Sequence, residues 1–303
     1  MEDGVVVGPR GIVRRLRSEG VGTQAPRFSI CTMVTRWDEY RGCVQSFRNR
    51  GFDDACCEFL VIDNSTSNRA DAYVATNEFL QSARGDYVVL CHQDVVLLQD
   101  GRDALDQSIA ALDVLDPQWG LCGNAGHTDD GWPAICISHP HGEGEQEIAG
   151  GPFPTRVVSL DENFIVVRRL ANLAVSRDLA GFHHYGPDLC IVADVLGWNA
   201  YVIGFFLRHN SGGTLDEGYH ASRRAITAKY VRAFRPRWMH LITRHPFHIS
   251  GHAHRNVAAR ALRRLQRQLR LIPTNSDLDD PAQRRRRDAR RAVHPIAGNG
   301  RHD

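Results

Sequence analysis

Residues 57–98 read CEFLVIDNSTSNRADAYVATNEFLQSARGDYVVLCHQDVVLL, and the alternation within this stretch sets the architecture. The apolar run from Cys57 to Ile62 fits a buried strand. It stops at Asp63-Asn64-Ser65, residues that favour turns because their side chains bond the nearby backbone. Residues 70–84 have helical character, and Gly85 is placed to close that helix as its C-cap. The run YVVLC (87–91) is a further strand. It enters the polar triplet His92-Gln93-Asp94, and a second apolar run leaves it. The triplet has two readings: a plain turn between two strands, or a metal and phosphate site at the end of a central strand.

Upstream, RFSICTMVT (27–35) is a strand, and WDEYRGCVQSFRNRGF (37–52) spaces Tyr40, Cys43, Val44 and Phe47 as a helix ending near Gly51. Downstream, DALDQSIAALDVL (103–115) is an amphipathic helix and WGLCGNAG (119–126) a strand. Strands alternating with helices predict an α/β fold with a parallel sheet and right-handed crossovers. Ligands in such sheets sit beyond the carboxyl ends of the strands. Thr35, Asp63 and Asp94 all fall at or near such ends.

Residues 123–155 are rich in Gly, Pro and His and predict mobile loops or irregular strands. RVVSLDENFIVVRR (156–169) returns to strand character, and GWNAYVIGFFLRHNSGG (197–213) reads as one strand ending at His209. YHASRRAITAKYVRAF (219–234) and RNVAARALRRLQRQLRLI (255–272) are basic helices; the second aligns Val257, Ala261, Leu265 and Leu269 in one stripe. The segment after Pro273 carries too little apolar surface to fold and is expected to be a disordered tail.

The 303 residues suffice for one large domain with an appendage. No apolar run approaches the ~20 residues of a membrane-spanning helix. The N-terminal segment lacks the ordered regions of a secretory signal, and eight scattered cysteines without a CxxC predict reduced thiols. Both point to the cytoplasm. The net charge of +2 hides an asymmetry: from His220 onward there are twenty Lys and Arg against five Asp and no Glu. This predicts an acidic body with a basic attachment, either to an anionic membrane at the inner face or to nucleic acid. A merely solvated tail would have the same composition. The RRRRDARR run has no interleaved aromatics, which weighs against nucleic acid. The histidine pairs in HPHGE and HPFHISGHAH lack partners at zinc spacing, and GxGxxG is absent.

Five segments in order, FLVIDNSTS, ATNEFLQSARGDYVVLCHQDV, SLDENFIVVRR, FHHYGPDLCIVADVLGWNAYVI and RHNSGGTLDEGY, resemble the GT-A fold glycosyltransferases. The resemblance is to the large inverting, family 2-like group with DxD motifs, and within it to a bacterial subgroup with HQDV instead. It covers residues 27 to 234. It implies a lead segment 1–26, a GT-A domain 27–237, a basic helical extension 238–272 and the tail 273–303. It also implies sugar transfer with inversion from a nucleotide-sugar donor, UDP-linked, to a hydroxyl acceptor, assisted by Mn2+ or Mg2+. Asp94 supplies an oxygen ligand and His209 a nitrogen, which favours Mn2+. Thr35, Asp63, Asn64, Asn77 and His92 are the implied nucleotide contacts, with Asp63 facing the base. Each also has a plainer role open to it, such as an Asx-turn for Asp63.

The base that activates the acceptor is an aspartate in most of that group, and here Gly186 stands in its place. Asp188, Asp161 and His183 are the remaining candidates, Asp188 also being placed to cap a helix. The departures from DxD and from the usual base leave a non-catalytic nucleotide- or saccharide-binding module open, as well as a nucleic-acid-modifying glycosyltransferase.

Overall fold

A computed structural model describes residues 4–16, 25–141, 144–211, 216–241, 246–269 and 271. The chain divides into two compact units, Met1–Thr227 and Ala228–Asp303. The tail expected after Pro273 lies outside the described residues.

The first unit is mixed α/β. It begins with an antiparallel hairpin, β1 (Gly4–Val7) and β2 (Val13–Leu16), ahead of the boundary expected at residue 26. β2 continues the main sheet by pairing antiparallel with β4, so these residues are part of the sheet and not a separate lead. The alternation then runs β3 (Phe28–Val34), α1 (Trp37–Asn49), β4 (Cys57–Asp63), α2 (Ala72–Ser82) and β5 (Tyr87–Cys91). β3 pairs parallel with both β4 and β5, as the alternation predicts.

Asp71 caps α2, its side chain accepting from Val74 N–H at 2.9 Å. The helix closes at Ala83 and not at Gly85. Gly85 is required for close approach: a Cβ there would lie 2.7 Å from the backbone of Phe28 and Ser29. α1 ends as expected before Gly51, whose φ of +88° suits glycine.

After β5 the chain leaves the sheet. β6 (Val95–Val96) belongs to a second sheet, α3 (Arg102–Leu115) returns, and β7 (Trp119–Gly123) rejoins the first. Where residues 123–155 were expected to be mobile loops or irregular strands, the described ones hold regular strands. They form β8 (Ala125–His127), β9 (Pro133–His141) and β10 (Gly144–Gly150), a meander in the second sheet. β11 (Thr155–Val157), β12 (Ser159–Leu160) and β13 (Phe164–Arg168) follow. β13 inserts antiparallel between β5 and β7, so the large sheet is mixed and not wholly parallel. Next come α4 (Tyr185–Val195), β14 (Asn199–Val202), β15 (Leu207–His209) and α5 (Glu217–Ala233), which runs on into the second unit.

The segment read as one strand to His209 is two. β14 lies in the nine-stranded sheet, and β15 pairs with β6 and β9 in the other. Phe205 lies between them, fully buried and stacked on Phe164 at 5.1 Å. The same buried cluster holds Phe28, Phe47, Phe52, Leu105 and Trp119, the phenylalanines and leucine each contributing about 1.5–3 kcal/mol by leaving water.

In the second unit, β16 (Arg237–Met239) and β17 (Phe247–Ile249) make a two-stranded antiparallel ribbon. α6 (Ala253–Gln268) follows it and has no buried residue.

Candidate metal and nucleotide site

The polar triplet is both a turn and the edge of a pocket. Val95 N–H returns to the carbonyl of His92 at 3.4 Å, while β5 ends in one sheet and β6 begins in the other. The junction leaves His92 and Asp94 between the two sheets. β15 pairs with β6 so that His209 faces Val95 in register, which brings the distant histidine to the same place.

His92 Nδ1 lies 3.2 Å from His209 Nε2, and His209 Nε2 lies 3.5 Å from Asp94 Oδ1. One ligand atom from each of the three falls within 4.8 Å of the others. Two donors each about 2.1 Å from one cation are separated by about 3.0 Å in octahedral and about 3.4 Å in tetrahedral geometry. The spacing therefore fits a single divalent ion, and the mixed nitrogen and oxygen set suits a transition metal such as Mn2+ better than Mg2+.

The charge states agree with this. Burial pushes the Asp94 carboxyl up, but hydrogen bonding and charge from His209, with a bond from Ser211, hold it well below its ordinary range. Burial, reinforced by neighbouring His209, lowers the His92 pKa, so its imidazole stays neutral as a ligand requires. Ser211 Oγ stands 3.1 Å from His209 Nε2. His139 Nδ1 meets the carbonyl of His209 at 3.1 Å and steadies the end of β15.

His92 and Asp94 line a pocket of about 250 Å3 with Thr35, Arg36, Asn64, Thr76, Gln93 and Tyr185; His209 adjoins both ligands without lining it. Gln93 is the clamp of this pocket. Its Oε1 accepts from the N–H groups of Thr35 and Arg36 at 2.8 and 2.9 Å, and its Nε2 donates to Thr35 Oγ1 at 2.8 Å. Gln93 thus ties the end of β3 to the end of β5, a role with no signal in the sequence.

Of the other nucleotide candidates, Asn64 lies on the pocket wall and Asp63 does not. Asp63 accepts from Ser65 N–H and Oγ–H at 3.0 and 2.6 Å, the Asx-turn reading. Asn77 is also elsewhere: its amide exchanges two hydrogen bonds with the backbone of Val175, and it lines a different cavity.

A second pocket, of about 300 Å3, is lined by His127, Ser159, Asp161, Glu162, His184 and Tyr219 among others. Tyr185 joins it to the first: its Oη–H donates to the carbonyl of Glu162 at 3.1 Å and stands 3.3 Å from His92 Nε2. Burial pushes the Glu162 carboxyl up to about 8 against the backbone N–H of Gly186, and the charge of Asp161 adds to the rise. Gly186 N–H donates to Glu162 Oε1 at 3.1 Å. A Cβ at Gly186 would stand 2.6 Å from the carbonyl of Leu160 and 3.0 Å from Glu162 Cγ, so no side chain fits there.

Asp188 is wholly buried inside α4, accepting from Ser176 N–H and Oγ–H at 2.7 and 2.8 Å, and it lines neither pocket. It is a structural carboxylate. His183 also lines neither; its Nε2 is 3.6 Å from Asp216. Asp161 is on the wall of the second pocket, beside Glu162, which the sequence reading passed over.

No protein-family model matches the chain. The protein named "ATP synthase subunits region ORF 6" of Fuscovulum blasticum is 37% identical over 225 residues, which span 71% of this chain and 88% of that protein. The chain belongs to its family. The name of that ORF 6 relative states no activity. Among solved structures, the mannosyltransferase PcManGT from Pyrobaculum calidifontis, in complex with GDP-Man and Mn2+, aligns with a TM-score of 0.43 at 14% identity over 69% of this chain and 65% of that one. S. aureus TarS 1-349 gives 0.44 at 12% over 68% and 65%, and GalNAc-T7 with UDP, GalNAc and Mn2+ gives 0.43 at 10% over 65% and 46%. Each match thus spans less than two thirds of the solved chain, and at these scores the likenesses decide nothing about the activity of the ORF 6 family.

Proposed function

We propose that this chain is a divalent-metal-assisted glycosyltransferase of the GT-A type, moving a sugar from a nucleoside diphosphate to a hydroxyl acceptor with inversion. The observation that carries the reading is the convergence of His92, Asp94 and His209 beside a pocket at the carboxyl ends of parallel strands. A divalent ion held there would offset the negative charge that develops on a leaving diphosphate, an effect on the order of several kcal/mol. Thr35 and Asn64 line the same pocket and are the proposed nucleotide contacts, and UDP is the nucleotide to test first.

On the acceptor side Glu162 is the better base than Asp188. Glu162 lines the second pocket, and a pKa near 8 balances availability against proton affinity at the working pH. Asp161 on the same wall raises that value by its charge. Tyr185 touches His92 of the first pocket and the Glu162 carbonyl of the second, so donor and acceptor would be neighbours across it.

The closed space at Gly186 supports one competing reading, a module that binds a nucleotide and transfers nothing. Calorimetry with UDP, with and without Mn2+, together with release of UDP from a UDP-sugar panel, separates the cases. Metal-dependent binding and turnover are expected. Binding without any turnover favours the module. A folded protein that binds no nucleotide in either buffer would sink both.

A further inference from the structure

α6 is packed inside out for a water-facing helix. Its contact with the ribbon uses polar side chains: the Arg263 guanidinium lies 4.6 Å from the centre of the Trp238 ring, and Asn256 Oδ1 is 2.8 Å from His248 Nδ1. Trp238 and His248 face each other across the ribbon, on the side turned to the helix. The apolar residues point the other way. Val257, Leu262 and Leu265, with Leu269 just past the last turn, are 59, 56, 49 and 59% exposed.

At about 100° per residue these four fall within about 140° of the helix circumference. Arg255 borders the stripe on one edge, and Arg264 and Arg260 border it on the other. Ala253–Gln268 holds five arginines and no acidic residue. Leucines exposed in water forgo about 1.5–3 kcal/mol each relative to burial, which an occupant of this face would recover.

We propose that this face of α6 docks on an anionic lipid surface, its leucines entering the acyl boundary and its flanking arginines reaching the headgroup phosphates. Charge decides between occupants. A second copy would bring the same arginines against these, whereas an anionic bilayer matches both the apolar stripe and the basic borders. An arginine stem also lies along apolar surface while its head stays at the phosphate level, as Arg255 and Arg264 are positioned to do. The proposal does not rest on the catalytic reading, because it uses the second unit alone.

The test is sedimentation of the full-length protein with phosphatidylglycerol–phosphatidylcholine vesicles and with phosphatidylcholine vesicles. Binding to the anionic vesicles is expected, falling at least about tenfold in high salt or on neutral lipid. The double variant L262D/L265D should lose vesicle binding while keeping its melting temperature, since neither side chain is buried. A second variant, Leu265→Trp, should show a blue-shifted emission with anionic vesicles only. Unchanged sedimentation of L262D/L265D, or equal binding to neutral vesicles, would overturn the proposal. So would light scattering that shows a dimer without lipid which L262D/L265D dissociates, because a second copy would then cover the face.

Discussion

The hydroxyl of Tyr185 stands 3.3 Å from His92 Nε2, on the opposite side of the ring from the nitrogen that faces His209. Tyr185 donates its own proton to the Glu162 carbonyl, and burial, with the charges of Glu162 and Asp161, keeps that proton in place by raising the pKa. With its own proton on that carbonyl the hydroxyl accepts from His92, an arrangement that calls for the tautomer with the ring proton on Nε2. Nδ1 is left with its lone pair toward His209. A partner of this kind orients a ligand and raises its basicity.

Tyr185→Phe should accordingly weaken Mn2+ binding by about 10–100-fold while leaving the fold intact. Isothermal titration with Mn2+ alone reads the effect, and circular dichroism controls for folding. An affinity equal to wild type would mean that the hydroxyl does not set the tautomer.

Asp94→Ala should remove Mn2+ binding altogether and abolish only the metal-dependent part of UDP affinity. The variant takes away the one anionic member of the triad. Comparing UDP titrations in Mn2+ and in EDTA checks both parts, and retained metal binding would displace Asp94 from the ligand set.

Glu162→Gln should lower turnover by about 10²–10⁴-fold with little change in donor KM. Wild-type turnover should rise with pH and level off above about 8, as the carboxyl loses its proton. Stability should move the opposite way. The folded protein holds a proton that the unfolded chain releases near its ordinary value of 4.5, so stability falls as pH rises from there through about 8. Melting curves between pH 5 and 9 should show this slope in wild type and not in Glu162→Gln.

Gly186→Asp, which adds a carboxylate beside Glu162, should fail to improve activity. Its Cβ would meet the Leu160 carbonyl, and the strain should cost about 1–3 kcal/mol, read as a lowered denaturation midpoint. A variant as stable and more active would show that the backbone yields there.

Glu58 is a structural counterpart at the other end of the sheet. It accepts from Ser29 Oγ–H at 2.7 Å, Arg15 Nε–H at 2.6 Å, and Arg84 N–H and Nε–H at 2.7 and 2.9 Å. Burial raises its pKa, but these donors more than offset that and hold it below the ordinary carboxylate value. Glu58→Ala should cost about 2–4 kcal/mol by chemical denaturation. The wild-type contribution is present above the unfolded value of 4.5 and is lost as pH falls through the lower folded one.

Local pattern alone determined the β3–α1–β4–α2–β5 order, the helix end near Gly51, and the placing of Asp94 at a strand end, but not the Asp71 cap or the close of α2 at Ala83. The features it determined depend on periodicity and capping within a few residues, which the chain carries in its own order. Tertiary structure decided the rest. The antiparallel insertion of β13 and the break between β14 and β15 follow from pairing partners far apart in the chain, for which apolar runs hold no address. The same pairing brings His209 to His92 across 117 positions. It also keeps Asn77 and Asp188 out of both site pockets and puts Glu162 on the wall of the second. Helical periodicity marked the stripe from Val257 to Leu269 but not the side on which it packs. That was set by Trp238, whose ring took an arginine of α6 and left the leucines facing out.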